Sequence, residues 1–319
     1  MRSIIPRLIA VRNQRPMTPG IKVNLYRGYE YQSLINAMNA TNLSVECVMV
    51  GDSYYMTHLG LPSTQLNEAQ KAESISLLPE LVNEVYQAIK NQKNRESSPF
   101  LMADMPGSLS LDQEEKILDL FKLSGAVSVK FEPVDEANCK RLIQKVRTRK
   151  MLPTVHLGYK PQVNDNQLYG SSYEAIETLK LELLKLKELG AECVIFERIS
   201  EIANQILSQF AVCIGLLPYS IFSGKACFGG QSLNIWDSTV KPEKTSIFFP
   251  PTACLVRDDV EQSYNEQCIE TCISQLLTLT ASQLFPPSPR NSIPLEEQLR
   301  IASAIVDGDE WEYHAKHLA

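Results

Sequence analysis

Residues 173–197 read YEAIETLKLELLKLKELGAECVIFE, and this stretch decides the fold. In its first part, Leu and Ile recur at the spacing of one helix face, and Gly190 follows as a C-terminal stop signal. Its last part, CVIFE, is a short apolar run that is typical of a strand covered on both faces. A helix that leads directly into a buried strand indicates a parallel sheet with crossover helices.

The same alternation recurs along most of the chain. Apolar runs that predict strands lie at residues 22–26, 46–50, 99–103, 126–131, 153–157, 192–196, 211–216 and 232–236. Helical patterns lie between them, at residues 111–123, 136–149, 173–189 and 199–209. Eight strands in this order favour an α/β fold of the (β/α)8 TIM-barrel type, and a doubly wound open sheet is the alternative.

The barrel accounts for only part of the 319 residues. We expect an N-terminal arm at residues 1–21, a barrel catalytic domain at 22–238 and a C-terminal extension at 239–319. The extension has Pro- and Ser-rich segments at 240–260 and 284–295, with helical patterns at 267–283 and at 295–306. Pro294 and Gly308 are suited to begin and end the last helix. We expect these helices to pack on the barrel or on a partner subunit.

The composition excludes several classes of protein. Apolar residues make up 44% and charged residues 21%, which is typical of a globular chain rather than a collagen, a disulfide-rich miniprotein or a disordered segment. No apolar stretch is long enough for a membrane span. The net charge of −6 argues against nucleic acid as a partner. The first residues are Arg-rich and free of acidic groups, which is typical of organellar targeting, but Pro6 and the short length of this segment favour a plain N-terminal arm. A cytoplasmic protein is therefore the expectation and organellar targeting the alternative.

Polar side chains stand where the predicted strands end. They are Asp52 and Ser53, Asp104, Lys130 and Glu132, His156, and Glu197. The C-terminal ends of the strands form the active site of a (β/α)8 barrel, so these groups are expected to converge. Each also has a structural alternative: an Asp–Ser helix cap, a Lys130–Glu132 pair along one strand, or a hydrogen-bonded core histidine. Four carboxylates at one mouth would repel each other unless a cation neutralises them, which predicts Mg2+.

These residue types fit metal-assisted removal of a proton next to a carbonyl group. A carboxylate-bound Mg2+ with open positions can chelate a 2-keto acid and stabilise its enolate. A separate carboxylate can remove the α-proton, and Lys130 can stabilise the developing negative charge.

Five motifs in order resemble ketopantoate hydroxymethyltransferases (3-methyl-2-oxobutanoate hydroxymethyltransferases), of the phosphoenolpyruvate mutase/isocitrate lyase superfamily. They are VGDSYYMTHLG (50–60), ADMP (103–106), VKFE (129–132), HLGYKPQ (156–162) and FERISEIA (196–203). The resemblance implies transfer of a hydroxymethyl group from 5,10-methylenetetrahydrofolate to 3-methyl-2-oxobutanoate, early in pantothenate biosynthesis. It also implies a homo-oligomer, typically a decamer in this family.

The resemblance further implies a role for each residue of the predicted site. Asp52, Asp104 and Glu132 would bind Mg2+. Ser53, Asp52, Asp104 and Lys130 would contact the keto acid. Glu197 would be the general base, and His156 a supporting polar group.

The chain departs from the family pattern mainly at glycines. Tyr54 and Tyr55 stand where the family has Leu-Gly, and the glycine-rich end of its seventh strand reads GLLPY at residues 215–219. We expect Pro218 and Tyr219 to lie at the mouth, where they either close the folate region or reshape it. A substrate-shifted or non-catalytic descendant is therefore one alternative, and a related 2-keto-acid carbon–carbon lyase or mutase is another.

Overall fold

The computed structural model describes residues 4–14, 20–61, 64–92, 98–159, 167–221, 230–234, 266–281 and 293–306. Eight parallel strands form a closed barrel in chain order, so the predicted TIM barrel is confirmed and the open sheet is wrong. The strands are β1 (Gly20–Asn24), β2 (Cys47–Val50), β3 (Phe100–Asp104), β4 (Ser128–Phe131), β5 (Leu152–Gly158), β6 (Cys193–Glu197), β7 (Leu217–Ile221) and β8 (Gly230–Asn234). Lys22 pairs with Cys47 on one side and with Ser232 on the other, which closes the barrel.

Helices surround the strands and extend the chain at both ends. They are α1 (Ile4–Gln14), α2 (Gly28–Thr41), α3 (Tyr54–Thr57), α4 (Glu68–Asn91), α5 (Leu111–Leu123), α6 (Glu136–Thr148), α7 (Tyr173–Leu189), α8 (Glu201–Cys213), α9 (Glu266–Ala281) and α10 (Leu295–Val306). The predicted helix at 173–189 is confirmed in full. Ser172 caps its start by accepting the Ala175 N–H, and Gly190 ends it with a φ of 98°, which glycine adopts without strain.

The expected seventh strand is misplaced. Residues 211–213 are the last turn of α8, and β7 begins only at Leu217. The run AVCIG continues the apolar face of α8, where Ala211 is fully buried, and Gly215 then turns the chain with a φ of 79°. A buried helix face and a buried strand have the same composition over so few residues.

Pro218 and Tyr219 therefore lie inside β7, and the expectation that they shape the mouth is wrong. The Pro218 carbonyl accepts a hydrogen bond of 2.7 Å from the Arg12 guanidinium of α1. The Tyr219 hydroxyl donates to Glu46, directly before β2, over 3.0 Å. Both contacts lie toward the N-terminal end of the barrel, away from its catalytic face.

The expected N-terminal arm contains α1, which closes that end. Ile5 packs among interior side chains of the barrel, including Phe100 and Leu217. Arg12 is buried and pairs with Glu46 over 2.6 Å. The barrel is thus closed at its N-terminal end.

Interior and exterior side chains alternate along each strand. On β2, Cys47 and Met49 belong to the interior cluster, whereas Val48 and Val50 pack against the surrounding helices. This double coverage explains the apolar strand runs in the sequence. None of the described helices has the length and apolar character needed to cross a membrane.

The C-terminal helices contact the barrel helices. α9 packs on α2, where the Asn36 amide donates to Glu270 over 3.0 Å, and α10 contacts α7. The Pro- and Ser-rich segments at 240–260 and 284–292, residues 235–236 of the expected eighth strand, the 160–162 part of HLGYKPQ, and Gly308 lie outside the described residues.

Candidate active site

The C-terminal ends of the strands bring the predicted charged side chains into one buried site. Asp52, Asp104, Lys130, Glu132, His156 and Glu197 are each at most 8% exposed. They come from five successive strands, β2 to β6, or from the residues directly after them. Charges are almost never buried without partners, so this concentration requires specific compensation.

Lys130 bridges two of the carboxylates. Its Nζ lies 2.8 Å from Asp104 Oδ2 and 3.3 Å from Glu132 Oε1. Burial lowers the pKa of Lys130, but attraction to Asp104, Glu132 and Asp52 outweighs burial and leaves that pKa above its usual range. The side chain is therefore a permanent cation at the centre of the cluster.

His156 links this cluster to the carboxylate of β6. Its Nδ1 lies 2.9 Å from Glu132 Oε1, and its Nε2 lies 3.2 Å from Glu197 Oε2. The second contact is close but poorly directed, so it is an ion-pair distance rather than a well-formed hydrogen bond. Burial lowers the pKa of His156, and the opposing attraction of Glu132 raises it above its ordinary value.

Asp104 is the least satisfied member of the site. Burial raises its pKa despite the neighbouring Lys130 ammonium, and its Oδ1 is buried with no hydrogen-bond partner among the described residues. A methyl group added at Gly51 would overlap the Asp104 side chain, so the chain at Asp52 passes directly beside Asp104. The side chain of Asp104 therefore lies against the strand end that carries Asp52, and its Oδ2 is the carboxylate oxygen closest to Gly51.

This donor set fits a hard divalent cation. Within the described part of the chain, no three His, Cys, Asp or Glu side chains converge as a ready-made metal cage. Mg2+ does not require such a cage, because one or two carboxylates with waters and substrate oxygens suffice. The unpartnered Asp104 Oδ1, on a side chain that lies against Gly51 and so next to Asp52 in the chain, is the feature that fits it.

An aromatic wall adjoins Ser53, the predicted substrate contact. The Tyr26 hydroxyl lies 2.7 Å from Ser53 Oγ, and Tyr26 packs edge-on against both Tyr54 and His58. Tyr54 in turn stacks on His58 with ring centroids 4.6 Å apart. The aromatic wall therefore consists of the rings of Tyr26, Tyr54 and His58.

Sequence reasoning missed two groups of residues here. Lys22 and Asn24 of β1 point into the barrel with Ser232 of β8, whereas the apolar run at 22–26 predicts only a strand. Tyr26 lies in the same run, and the strand prediction assigns it no role in the site. The available signal was the polar–apolar alternation from Lys22 to Asn24, because residues two apart share one side of a strand.

The closed barrel, with its charged cluster at the C-terminal strand ends, has the architecture of TIM-barrel enzymes. Comparison with protein-family models gives a match to ketopantoate hydroxymethyltransferase over residues 20–241. The chain belongs to this family, which confirms the resemblance seen in the five motifs.

The relatives are distant. A 3-methyl-2-oxobutanoate hydroxymethyltransferase from Staphylococcus epidermidis is 28% identical over 197 residues, which cover 60% of this chain and 66% of that protein. One from Kosmotoga olearia is 26% identical over 259 residues, covering 77% of this chain and 88% of that protein. These homologues are transferases, so the chain is a member of an enzyme family.

Solved structures support the fold alone. A putative fructose-1,6-biphosphate aldolase from Coccidioides immitis aligns with 90% of this chain and 100% of its own, at a TM-score of 0.54 and 10% identity. A fructose-bisphosphate aldolase from Campylobacter jejuni aligns with 88% and 93%, at a TM-score of 0.51 and 10% identity.

Proposed function

We propose that this chain is a Mg2+-dependent hydroxymethyltransferase that forms ketopantoate from 3-methyl-2-oxobutanoate, or adds the same group to a related 2-keto acid, in pantothenate biosynthesis. The one-carbon donor is 5,10-methylenetetrahydrofolate. The observation that carries the proposal is the connected series Asp104–Lys130–Glu132–His156–Glu197 at the barrel mouth of a chain in this family. The series places a cation, Lys130, between Asp104 and Glu132, and a carboxylate base, Glu197, at its far end.

Asp52 and Asp104 would hold Mg2+, with Glu132 directly or through water. When bound, the metal withdraws electrons from the keto group and so acidifies the adjacent C–H. Lys130 stabilises the negative charge that develops on the substrate, because its ammonium stays protonated. Ser53 and the Asp104 region orient the keto acid.

Glu197 removes the α-proton. His156 Nε2 lies 3.2 Å from Glu197 Oε2, an ion-pair distance that keeps this carboxylate next to the cluster. Water opens the methylene bridge of the folate donor: both C–N bonds break, tetrahydrofolate leaves with the two water protons on its nitrogens, and the one-carbon unit is released as formaldehyde. The carbanion adds to the carbon of this formaldehyde, and the alkoxide that forms takes back the proton from Glu197. The buried setting keeps bulk water away from the reacting carbon, since each charged member is at most 8% exposed.

The first test follows the α-proton of 3-methyl-2-oxobutanoate by NMR in D2O with Mg2+, with and without methylenetetrahydrofolate. We expect exchange without folate and ketopantoate only with folate. Glu197→Gln should lower the exchange rate by about a thousandfold or more, because the base is lost while the carboxamide keeps its volume. The Mg2+ affinity of this variant should remain close to that of the wild type.

Glu192→Gln is the matched control. Glu192 directly precedes the same strand at its opposite end, so this variant should exchange at the wild-type rate. Exchange that persists in Glu197→Gln would assign the base elsewhere. Folded, Mg2+-loaded wild-type protein that shows no exchange would overturn the proposed chemistry for this substrate.

A substrate-shifted transferase is the second candidate, and the aromatic wall favours it. Tyr54 stacks on His58 beside Ser53, where the family pattern has a smaller aliphatic side chain. A series of 2-keto acids of decreasing size in the same exchange assay separates the two candidates. Faster exchange with 2-oxobutanoate than with 3-methyl-2-oxobutanoate would favour the shifted substrate.

A further inference from the structure

One charged group in the barrel interior has no part in the chemistry above. Lys22 lies in the middle of β1, is fully buried, and contacts no carboxylate oxygen in the described residues. Its ammonium donates instead to Asn24 Oδ1 and, over 2.8 Å, to Ser232 Oγ. A buried lysine held only by neutral groups is costly, so its presence calls for a reason.

The hydrogen-bond partners show which way Lys22 reaches. Asn24 lies two residues closer to the catalytic end of β1, and Ser232 lies on the neighbouring β8. The ammonium is therefore directed toward the catalytic face rather than toward the end that α1 closes. Its electrostatic neighbours are Cys47 of β2, Asp104 of β3, Lys130 of β4 and Glu197 of β6.

The charge balance of the site explains the residue. Four carboxylates face the Lys130 ammonium and the His156 ring, and a bound divalent ion would bring the sum to 4 − 3, one excess negative charge while His156 is neutral. An anionic keto acid and its enolate add further negative charge to this site. The Lys22 ammonium lies within electrostatic range of these groups, so it offsets one unit of negative charge without occupying a coordination position on the metal.

We propose that Lys22 is a positioning residue that supplies the second positive charge of the reaction centre and so favours binding of an anionic substrate. This inference rests on the proposed function for its substrate class. Lys22 acts through charge, since it is fully buried, and Asn24 and Ser232 hold the ammonium in place. Burial lowers the pKa of Lys22 to about 8, which leaves it mostly protonated near neutral pH.

The test measures how tightly the same protein binds a cation, Mn2+, and an anion, the keto acid. Loss of the positive charge of Lys22 should strengthen the first and weaken the second. Lys22→Met should tighten Mn2+ binding and weaken 3-methyl-2-oxobutanoate binding to the metal-loaded protein, each on the order of tenfold at about pH 7. A variant that only damages the structure of the site would bind both Mn2+ and the keto acid more weakly. Binding is followed by Mn2+ electron paramagnetic resonance and by titration calorimetry.

Ser232→Ala is the matched control, because it removes one hydrogen bond but keeps the ammonium. Both affinities should stay within about twofold of the wild type. Lys22→Gln serves if Lys22→Met does not fold, since its amide retains hydrogen bonds to Asn24 and Ser232.

A pH series adds a further readout. Keto-acid affinity of the wild type should fall between about pH 7 and about pH 9 as Lys22 loses its proton, and the variant should lack this step.

The outcomes separate this inference from the proposed function. Tighter Mn2+ binding in Lys22→Met supports the role of Lys22 even if the wild type binds no keto acid, a result that would defeat the proposed function instead. Weakening of both ligands, or no change in either, overturns the role of Lys22 while leaving the transferase intact. Failure of the wild type to bind Mn2+ also overturns the role of Lys22. In that case, the α-proton exchange experiment in D2O tests the proposed transferase function separately.

Discussion

At the scale of single residues, Lys22 shows how a site can lower the stability of its own fold. Its pKa falls to about 8 in the folded chain because burial disfavours the charged form, against about 10.4 in an unfolded chain. The unfolded state therefore binds this proton more tightly than the native state does. The cost of burying the charge is fully present at pH values below the folded pKa, where both states are protonated. Lys22 therefore destabilises the fold near neutral pH.

Lys22→Met should be more stable than the wild type at about pH 7, by roughly 2–3 kcal/mol. The advantage should shrink as pH rises from about 8 to about 10.5, because the wild-type lysine then becomes neutral in both states. Urea unfolding of both proteins across this range measures the difference. A variant less stable than the wild type at every pH would show that packing, not charge, dominates at this position.

The residues of the site were only partly predictable. Asp104, Lys130 and Glu197 were found because a charge at the end of an apolar run is conspicuous and the fold brings strand ends together. Lys22 was missed because it lies within a run, and which face of a strand points inward depends on barrel register. The contact between His156 and Glu132 depends on side-chain geometry that strand order alone does not specify.

At the scale of elements, α1 is joined to the barrel by a buried guanidinium, Arg12, in addition to the packing of Ile5. Arg12 pairs with Glu46, donates to the Pro218 carbonyl, and lies 4.9 Å from the centre of the Tyr219 ring. Three partners from β7 and the start of β2 thus meet at a single buried guanidinium. This network makes α1 part of the barrel rather than a loose arm.

Arg12→Met should lower the free energy of unfolding by about 3 kcal/mol, because it leaves the Glu46 carboxylate without its buried partner. Arg12→Met combined with Glu46→Gln should recover part of that loss, since the uncompensated charge is gone. Chemical denaturation of the two variants measures the coupling. Arg300→Met, which removes an exposed ion pair with Glu297, is the control and should change little.

The helices were easier to predict than the seventh strand. Helix α7 has a cap, a periodic face and a terminal glycine, so three independent signals agree. The start of β7 has none of these, and the apolar end of α8 runs into it with only Gly215 between them as a turn signal. The local sequence therefore predicts both ends of α7 correctly, whereas the predicted start of β7 lies six residues too early.

At the scale of the whole molecule, the chain is predicted to form a homo-oligomer. Leu295 and Leu299 of α10 lie one helical turn apart and are 70% and 60% exposed. Leu181 of α7, the helix that α10 contacts, is 67% exposed. Exposed apolar side chains on adjacent helices are typical of an interface between subunits.

Light scattering should give a mass that is a multiple of that of the chain. Leu295→Glu with Leu299→Glu should reduce this mass, because two charges would be buried without partners at the interface. Leu123→Glu is the control, since Leu123 is 81% exposed at the end of α5. An unchanged mass in the double variant would place the interface on another face.

The closure of the barrel by α1 has a consequence for the order of events during turnover. With Ile5 and Arg12 filling the N-terminal end, the described part of the barrel offers reactants no access to the site from that end. Under the proposed function, both reactants therefore enter from the C-terminal strand ends, and the one that reacts deeper binds first and leaves last. The keto acid would react beside Lys130 and Glu197, so the bulky folate would bind after it and leave before the product.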